Sequence, residues 1–301
     1  MRILRDPVSM PRCVLALGTF DGVHLGHQAL LMKGGELARE KNCPLAVCTF
    51  EPHPLRVLRP ELAPPLLTTL PERAALMSLY GADSLCVTTF TRDRAAQSAE
   101  AYIAELQRVF QPAAVVCGYN FSFGQGGRGN GETLREAGLE TVIVPEVTLD
   151  GEGVSSSRVR QALQDGELSK ATRLMGHAYT LTGRVADGKH IGRTMGFPTA
   201  NVTVPHGKAL PAFGVYACWL ETALGYYPAV VKVGRHPTLP EGNVTVEAYA
   251  LDASLSLYGQ RVRLTFLRFQ RPEKVFDGIE ALQAQIAQDT EECRAWFAGL
   301  K

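Results

Sequence analysis

CVLALGTFDGVHLGHQALL, residues 13–31, sets an apolar run against a turn with several glycines and then the start of a helical pattern. Four more short apolar runs follow: LAVCTF (45–50), SLCVTT (84–89), AAVVCG (113–118) and TVIV (141–144). Short continuous runs of this kind suit strands buried on both faces, as in a parallel sheet. QALLMKGGELARE lies between the first two and places Leu30, Gly34, Leu37 and Ala38 on one helical face. Gly34 and Gly35 weaken that helix by about 1 kcal/mol each relative to alanine. Pro71-Glu72 opens another helix, and Ser98 caps one that runs to Phe110. Strands alternating with helices predict an open α/β sheet with right-handed crossovers and helices on both faces.

After residue 178 the pattern changes to YTLTGRV, TANVTV, GVYACWLE, YPAVVKVG, VTVEAYAL and RVRLTFLR. These runs alternate, favour β-branched and aromatic residues, and are separated by glycine or proline turns. Without helices between them they predict a six-stranded antiparallel β-barrel. From Asp277 to Phe297 the period is helical again, and Ile279, Leu282, Ile286, Cys293 and Phe297 form a face suited to packing on the barrel. The expected organisation is two domains, 1–177 and 178–301, joined near LMGHAY.

The 301 residues are enough for two separate cores. A net charge of +1 gives no broad field for nucleic acid or an anionic membrane, so neither is expected as a partner. No apolar run is long enough to span a bilayer. The stretch MRILRDPVSMPR is basic but lacks the apolar centre of a secretory signal, which points to the cytoplasm. The seven cysteines show no C-x-x-C spacing and read as buried thiols.

The turn after the first run offers chemistry. Ligands in open α/β sheets bind at the carboxyl ends of strands, and a helix N-terminus presents free N–H groups to phosphate. Gly18, Gly22 and Gly26 allow close backbone approach. His24 and His27, three apart, can reach one ligand and stabilise charge developing on an α-phosphate. A metal pair is the competing reading, but no cysteine or carboxylate nearby completes a ligand set. Further on, Ser155, Ser156 and Ser157 can cap a helix, and Arg158 is a fork-shaped phosphate donor. Alone, that segment reads as an ordinary capped helix.

The H-x-G-H string His24-Leu25-Gly26-His27 resembles the motif of the nucleotidyltransferase superfamily. GTFDGVHLGHQALL resembles the adenylyltransferase module of the bacterial bifunctional riboflavin kinase/FAD synthetase family. TFEPHPLRVL (49–58), GYNFSFGQGGRG (118–129) and VSSSRVRQAL (154–163) continue the resemblance in order. The resemblance implies a Rossmann-like domain that joins FMN and ATP into FAD. It implies ATP contacts at Gly18, Phe20, Asp21, Gly22, His24, Gly26, His27, Ser155, Ser156, Ser157 and Arg158. For FMN it implies Phe50, Pro52, His53, Pro54 and Asn120. The family often has Asp where Asn120 stands.

The second half has no P-loop and no protein-kinase signature. GRVADGKHIGRTMGFPTANVTV is instead a glycine-rich basic loop running into a strand start. Thr199 and Asn201 alternate on an extended chain, and both are oxygen donors suited to Mg²⁺. Taken alone, PTAN is a turn entering a strand, and Glu247 is a solvated strand glutamate. GRTMGFPTAN, however, resembles the riboflavin kinase motif. That implies nucleotide contacts at Gly183, Gly192, Arg193, Gly196, Pro198, Thr199 and Asn201, with Thr199 and Asn201 holding Mg-ATP. It also implies Glu247 as general base, with Arg271 and Glu273 near riboflavin. Tyr249 stands where the family often has His and is given no catalytic role.

The expected ligands are riboflavin, FMN, FAD and ATP, with Mg²⁺, in a monomer or weak homo-oligomer. Two other readings stay open: an adenylyltransferase with a different acceptor, and a flavin sensor without catalysis. The intact Thr199, Asn201 and Glu247 weigh against the first. The intact His24, His27 and SSSRVR weigh against the second.

Overall fold

The computed structural model describes residues 1–186, 197–235, 244–253 and 255–300. Contacts divide the chain into two compact units, Met1–Ser156 and Ser157–Lys301.

The first unit is built on a parallel sheet of six strands: β1 (Arg2–Arg5), β2 (Val14–Leu17), β3 (Leu45–Glu51), β4 (Ser84–Thr89), β5 (Ala114–Gly118) and β6 (Thr141–Val144). Their order is β1-β4-β3-β2-β5-β6. Three helices matter for the core: α1 (Leu25–Glu40), α2 (Leu70–Leu79) and α3 (Ala99–Phe110). Leu15, Leu17, Ala46, Cys48, Val115 and Cys117 face α3 through Tyr102, Ile103, Leu106 and Phe110. Val14, Ala16, Leu45, Val47 and Val116 face the opposite way, onto Leu30 and Leu31 of α1 and Met77 of α2. Burial on both faces is why these strands read as continuous apolar runs. Each fully buried aliphatic side chain contributes about 1.5–3 kcal/mol.

The sequence signals for the helices hold. Leu30, Gly34, Leu37 and Ala38 are buried. A Cβ on Gly34 would lie 2.8 Å from Leu45 Cδ1, so glycine lets α1 lie close on β3 at the cost of helix propensity. Thr69 and Glu72 form a reciprocal capping box at α2, and the Ser98 hydroxyl accepts the Ala101 N–H at α3. The strand β1 was not expected. Its four residues lie at the sheet edge and are mostly exposed, so they carry no apolar run.

The second unit contains a closed antiparallel barrel: β7 (Tyr179–Ala186), β8 (Ala200–Val202), β9 (Gly214–Thr222), β10 (Gly225–Arg235), β11 (Val244–Ala250) and β12 (Arg261–Pro272). Its order is β7-β8-β11-β10-β9-β12, closed by β12 on β7. All six expected strands are present. Along β11, Val246, Ala248 and Ala250 are buried, while Glu247 and Tyr249 on the other face are half-buried. Val233 and Val231 on β10 lie opposite Val246 and Ala248 and share the inner face.

Three further helices are α4 (Ser156–Gln164), α5 (Leu168–Met175) and α6 (Ile279–Ala298). α5 packs beside β7 and β12. The C-terminal helix α6 covers the outer face of β9 and β10, with Cys293 and Phe297 against Val215, Ala217 and Val230. Its expected apolar face is used only toward the C-terminal end. Ile279 remains 69% exposed, and Leu282 and Ile286 are half-buried. Six of the seven cysteines are buried and Cys43 is half-buried, all with free thiols.

Candidate active sites

The turn between β2 and α1 lies where the strand order reverses, with β3 on one side of β2 and β5 on the other. Open α/β sheets bind ligands at such points. Phe20, Gly22 and Val23 all have positive φ, at 53°, 83° and 41°. Left-handed backbone strains phenylalanine and β-branched valine in particular. The surroundings hold the turn in place. Gly22 N–H donates to Thr68 Oγ1 at 3.0 Å, and the Gln28 amide donates to the Val23 carbonyl at 2.8 Å. A Cβ at Gly22 would sit 2.7 Å from Leu67 Cδ1.

Asp21 is 1% exposed and lies inward. Its carboxylate accepts from the Leu67 and Thr68 N–H groups, both at 3.0 Å, and from the Thr68 hydroxyl at 3.1 Å. The guanidinium of Arg73, from α2, stands 3.6 Å away and is equally buried. Burial lowers the pKa of Arg73, and the carboxylate of Asp21 opposes that shift. Asp21 therefore anchors the turn to the 67–73 segment.

His24 is buried just before α1, and its ring stacks on His27 with centroids 3.7 Å apart and planes 18° apart. The fully buried Phe20 ring lies 5.1 Å from His27. Burial, then the neighbouring His24 and Arg73, holds the His27 pKa well below its ordinary value. His27 is thus a neutral imidazole at pH 7 with a single N–H to donate. Its Nδ1 is buried without a hydrogen-bond partner among the described residues. A lone pair is cheaper to leave so than a donor, which puts the proton on Nε2. Gly18 follows β2 beside the Phe20 ring, and Gly26 packs against the His24 ring.

Ser156 donates from its hydroxyl to the Asp21 carbonyl at 2.8 Å, which ties the SSSR segment to the turn. Ser155 precedes α4, and Ser157 and Arg158 lie in its first turn. Phe50, the penultimate residue of β3, is half-buried with the Phe90 ring edge-on at 5.2 Å. Pro52 is exposed. Pro54 opens a short helix that His53 caps by accepting the Leu55 N–H at 3.2 Å. Asn120 is exposed just past β5. Gly18, Cys48, Phe50, Tyr102 and Phe121 line one cleft at the ends of the central strands.

In the barrel, Asn201 on β8 lies directly opposite Glu247 on β11, and Glu247 lies opposite Lys232 on β10. Register partners share a face, so these three side chains form a row on the outer wall. The Thr245 hydroxyl donates to Glu247 Oε1 at 3.3 Å. Lys232 pairs with Glu273 at 3.6 Å. Thr199 stands two residues before Asn201, and Pro198 is exposed. Gly183 lies in β7 opposite Val262. Gly192, Arg193 and Gly196 lie outside the described residues.

Arg271 is held by Asp289 of α6 in a two-pronged pair, Nε to Oδ1 at 2.8 Å and Nη2 to Oδ2 at 2.7 Å. Its remaining Nη1 donates to the Pro272 carbonyl. Its guanidinium therefore ties β12 to the C-terminal helix. Sequence reasoning passed over Arg73 and Lys232. Each is a single cation in an unremarkable segment, and only the pairing partners give it a role.

A strained, histidine-bearing turn at the switch point of a sheet and an oxygen-rich outer row on a barrel are both settings suited to nucleotide phosphates. Residues 6–158 match the FAD synthetase family model, and residues 175–297 match the riboflavin kinase model. The bifunctional riboflavin kinase/FMN adenylyltransferases of Listeria monocytogenes and Escherichia coli are 35% and 36% identical to this chain. Each alignment covers 93% of the relative and 96% or 95% of this chain. That of Bacillus subtilis is 34% identical over 96% of this chain and 94% of its own length. The chain belongs to the bifunctional riboflavin kinase/FMN adenylyltransferase family.

A solved Streptococcus pneumoniae structure, described as a macrolide-efflux protein, matches with a TM-score of 0.89. It is 28% identical and covers 98% of this chain and 100% of its own. No described helix here is long and apolar enough to cross a membrane.

Proposed function

We propose that this chain makes FMN from riboflavin and ATP in residues 178–301, and joins FMN to ATP in residues 1–177, giving FAD and pyrophosphate. The stack of His24 on the neutral His27, at the mouth of a strained turn, is the observation that carries the second reaction. In that reaction an FMN phosphate oxygen attacks the α-phosphorus of ATP, and the bond to the leaving pyrophosphate breaks. Backbone N–H groups of the turn and the α1 N-terminus receive phosphate oxygens. The His27 Nε2–H and the His24 ring stabilise the charge that develops there. Ser155, Ser157 and Arg158 add donors for the phosphates, while Asp21 and Ser156 hold the turn. Phe50, Pro52, Pro54 and Asn120 border the flavin, and His53 shapes that segment.

For the kinase, the Asn201–Glu247 row supports the reading. Glu247 takes the proton of the terminal ribityl hydroxyl as that oxygen attacks the γ-phosphorus, and ADP leaves. Thr199 and Asn201 offer neutral oxygens beside this carboxylate. Among the described residues no group of three or more His, Cys, Asp or Glu forms a metal site. The neutral oxygens of Thr199 and Asn201 fit Mg²⁺, which keeps waters and binds largely through phosphate oxygens. Mg²⁺ bound there with ATP would offset phosphate charge. Arg271 and Glu273 support the riboflavin side, the first through its tie to α6. The protein is proposed to act in the cytoplasm as a monomer or weak homo-oligomer, without nucleic acid or membrane.

The test is incubation with riboflavin, ATP and Mg²⁺, followed by chromatography of the flavins. FMN and FAD are both expected. Absence of both would sink the reading, and FMN without FAD would leave only the kinase.

A further inference from the structure

The cleft at the ends of β3 and β4 has aromatic walls, Phe50 and Phe121 among them, yet an ion pair lines it. Arg94 Nη1 donates to Glu105 Oε2 at 2.5 Å, and the two side chains are only 23% and 27% exposed. Gln97 braces both, donating to Glu105 Oε2 at 3.0 Å and accepting from Arg94 Nη1 at 3.4 Å. The pair also borders an open recess lined by Thr89, Thr91 and Asp93, so it stands at the rim between solvent and cleft.

Stability alone does not demand an ion pair here. Apolar residues of similar volume commonly replace a partly desolvated pair without loss. The bracing by Gln97 instead fixes both side chains while leaving bonding capacity unused. Arg94 Nε and Nη2, and Glu105 Oε1, have no hydrogen-bond partner among the described residues. The cleft wall thus carries a fixed donor beside a fixed acceptor.

An isoalloxazine ring has apolar faces for aromatic contact and one edge that reads carbonyl, N–H, carbonyl. A guanidinium N–H beside a carboxylate oxygen is the complement of a carbonyl beside an N–H. We propose that Arg94 and Glu105 are a specificity pair that recognises this carbonyl–N–H edge of the flavin accepted by the first unit. The proposal rests on the reading of that unit as an FMN adenylyltransferase. It assigns the pair no part in the chemical step.

The test uses the full chain with supplied ATP and either FMN or its N3-methyl analogue, following initial rates of FAD or methyl-FAD formation. A site built to bond an N–H rejects a substrate lacking it. The unaltered chain should favour FMN by about tenfold or more in kcat/KM. Glu105→Gln and Arg94→Gln should each lower kcat/KM for FMN by about tenfold, one lost hydrogen bond in scale. They should also bring the FMN-to-analogue ratio toward one, with Arg94→Lys recovering part of the loss. The KM for ATP and the rate of riboflavin phosphorylation should stay unchanged, and the latter reports an intact fold.

An unaltered ratio in both variants would overturn the proposal. So would a rise in the KM for ATP in place of that for FMN, which would assign the pair to the adenine. Failure of the unaltered chain to make FAD from FMN would sink the activity itself. FAD formation without discrimination would sink only the specificity pair.

Discussion

Asn201 and Glu247 stand opposite one another on neighbouring antiparallel strands of the barrel, on its outer wall. The arrangement places an amide oxygen beside the one carboxylate proposed to accept the ribityl proton. Glu247→Gln keeps the shape and removes the base, so FMN formation should fall by about 10²–10⁴-fold, the usual worth of general-base catalysis. FAD formation from supplied FMN should persist. Loss of both activities in a folded Glu247→Gln protein would refute independent sites.

His27→Gln should do the reverse, removing FAD formation and leaving riboflavin phosphorylation. Its effect on stability has a defined sign. Burial, His24 and Arg73 lower the folded-state pKa, so between that value and about 6.5 the unfolded chain binds a proton that the folded chain does not. Stability therefore rises with pH through this window and falls as pH drops below about 6.5. Urea midpoints for the first unit at pH 7 and pH 5 should differ less in His27→Gln than in the unaltered chain. An equal difference would show that His27 does not contribute.

Asp21→Ala should act through folding. It leaves the buried Arg73 guanidinium without its carboxylate and frees the Leu67 and Thr68 N–H groups. Breaking a buried pair from one side costs about 3–5 kcal/mol. On heating, FAD formation should disappear well below the temperature at which riboflavin phosphorylation fails. Coincident loss of the two activities would contradict the anchoring role.

Arg271→Leu leaves the Asp289 carboxylate, 4% exposed, without its partner. A loss of about 3 kcal/mol is expected in chemical denaturation of the second unit. The double change Arg271→Leu with Asp289→Leu should recover much of it, because two apolar side chains need no pairing. Were the double variant as unstable as the single one, the pair would not be what fastens α6.

The sheet was legible because strands buried on both faces leave apolar runs, and the barrel because half-buried strands alternate. The edge strand β1 leaves neither mark, since Ile3 is 44% exposed and only Leu4 meets the core. The first turn of α6 has helical spacing but covers no apolar surface among the described residues, and Ile279 stays exposed. The histidine turn could be read from residue types and spacing. The inward lie of Asp21 could not, because it depends on Thr68 and Arg73, which belong to a later segment. Likewise Lys232 reads as a stray charge in AVVKVG until the register sets it opposite Glu247.

Along β11 the inner wall and the proposed base occupy alternate residues: Val246, Ala248 and Ala250 are buried in the barrel, and Glu247 and Tyr249 lie on the other face. The two requirements are therefore separable one residue at a time. A change at Glu247 alters the proposed base without touching the residues that fill the barrel, whereas a change at Tyr249 reaches the apolar cluster under α6. A swap at the intervening positions threatens the fold while leaving the reactive groups untouched.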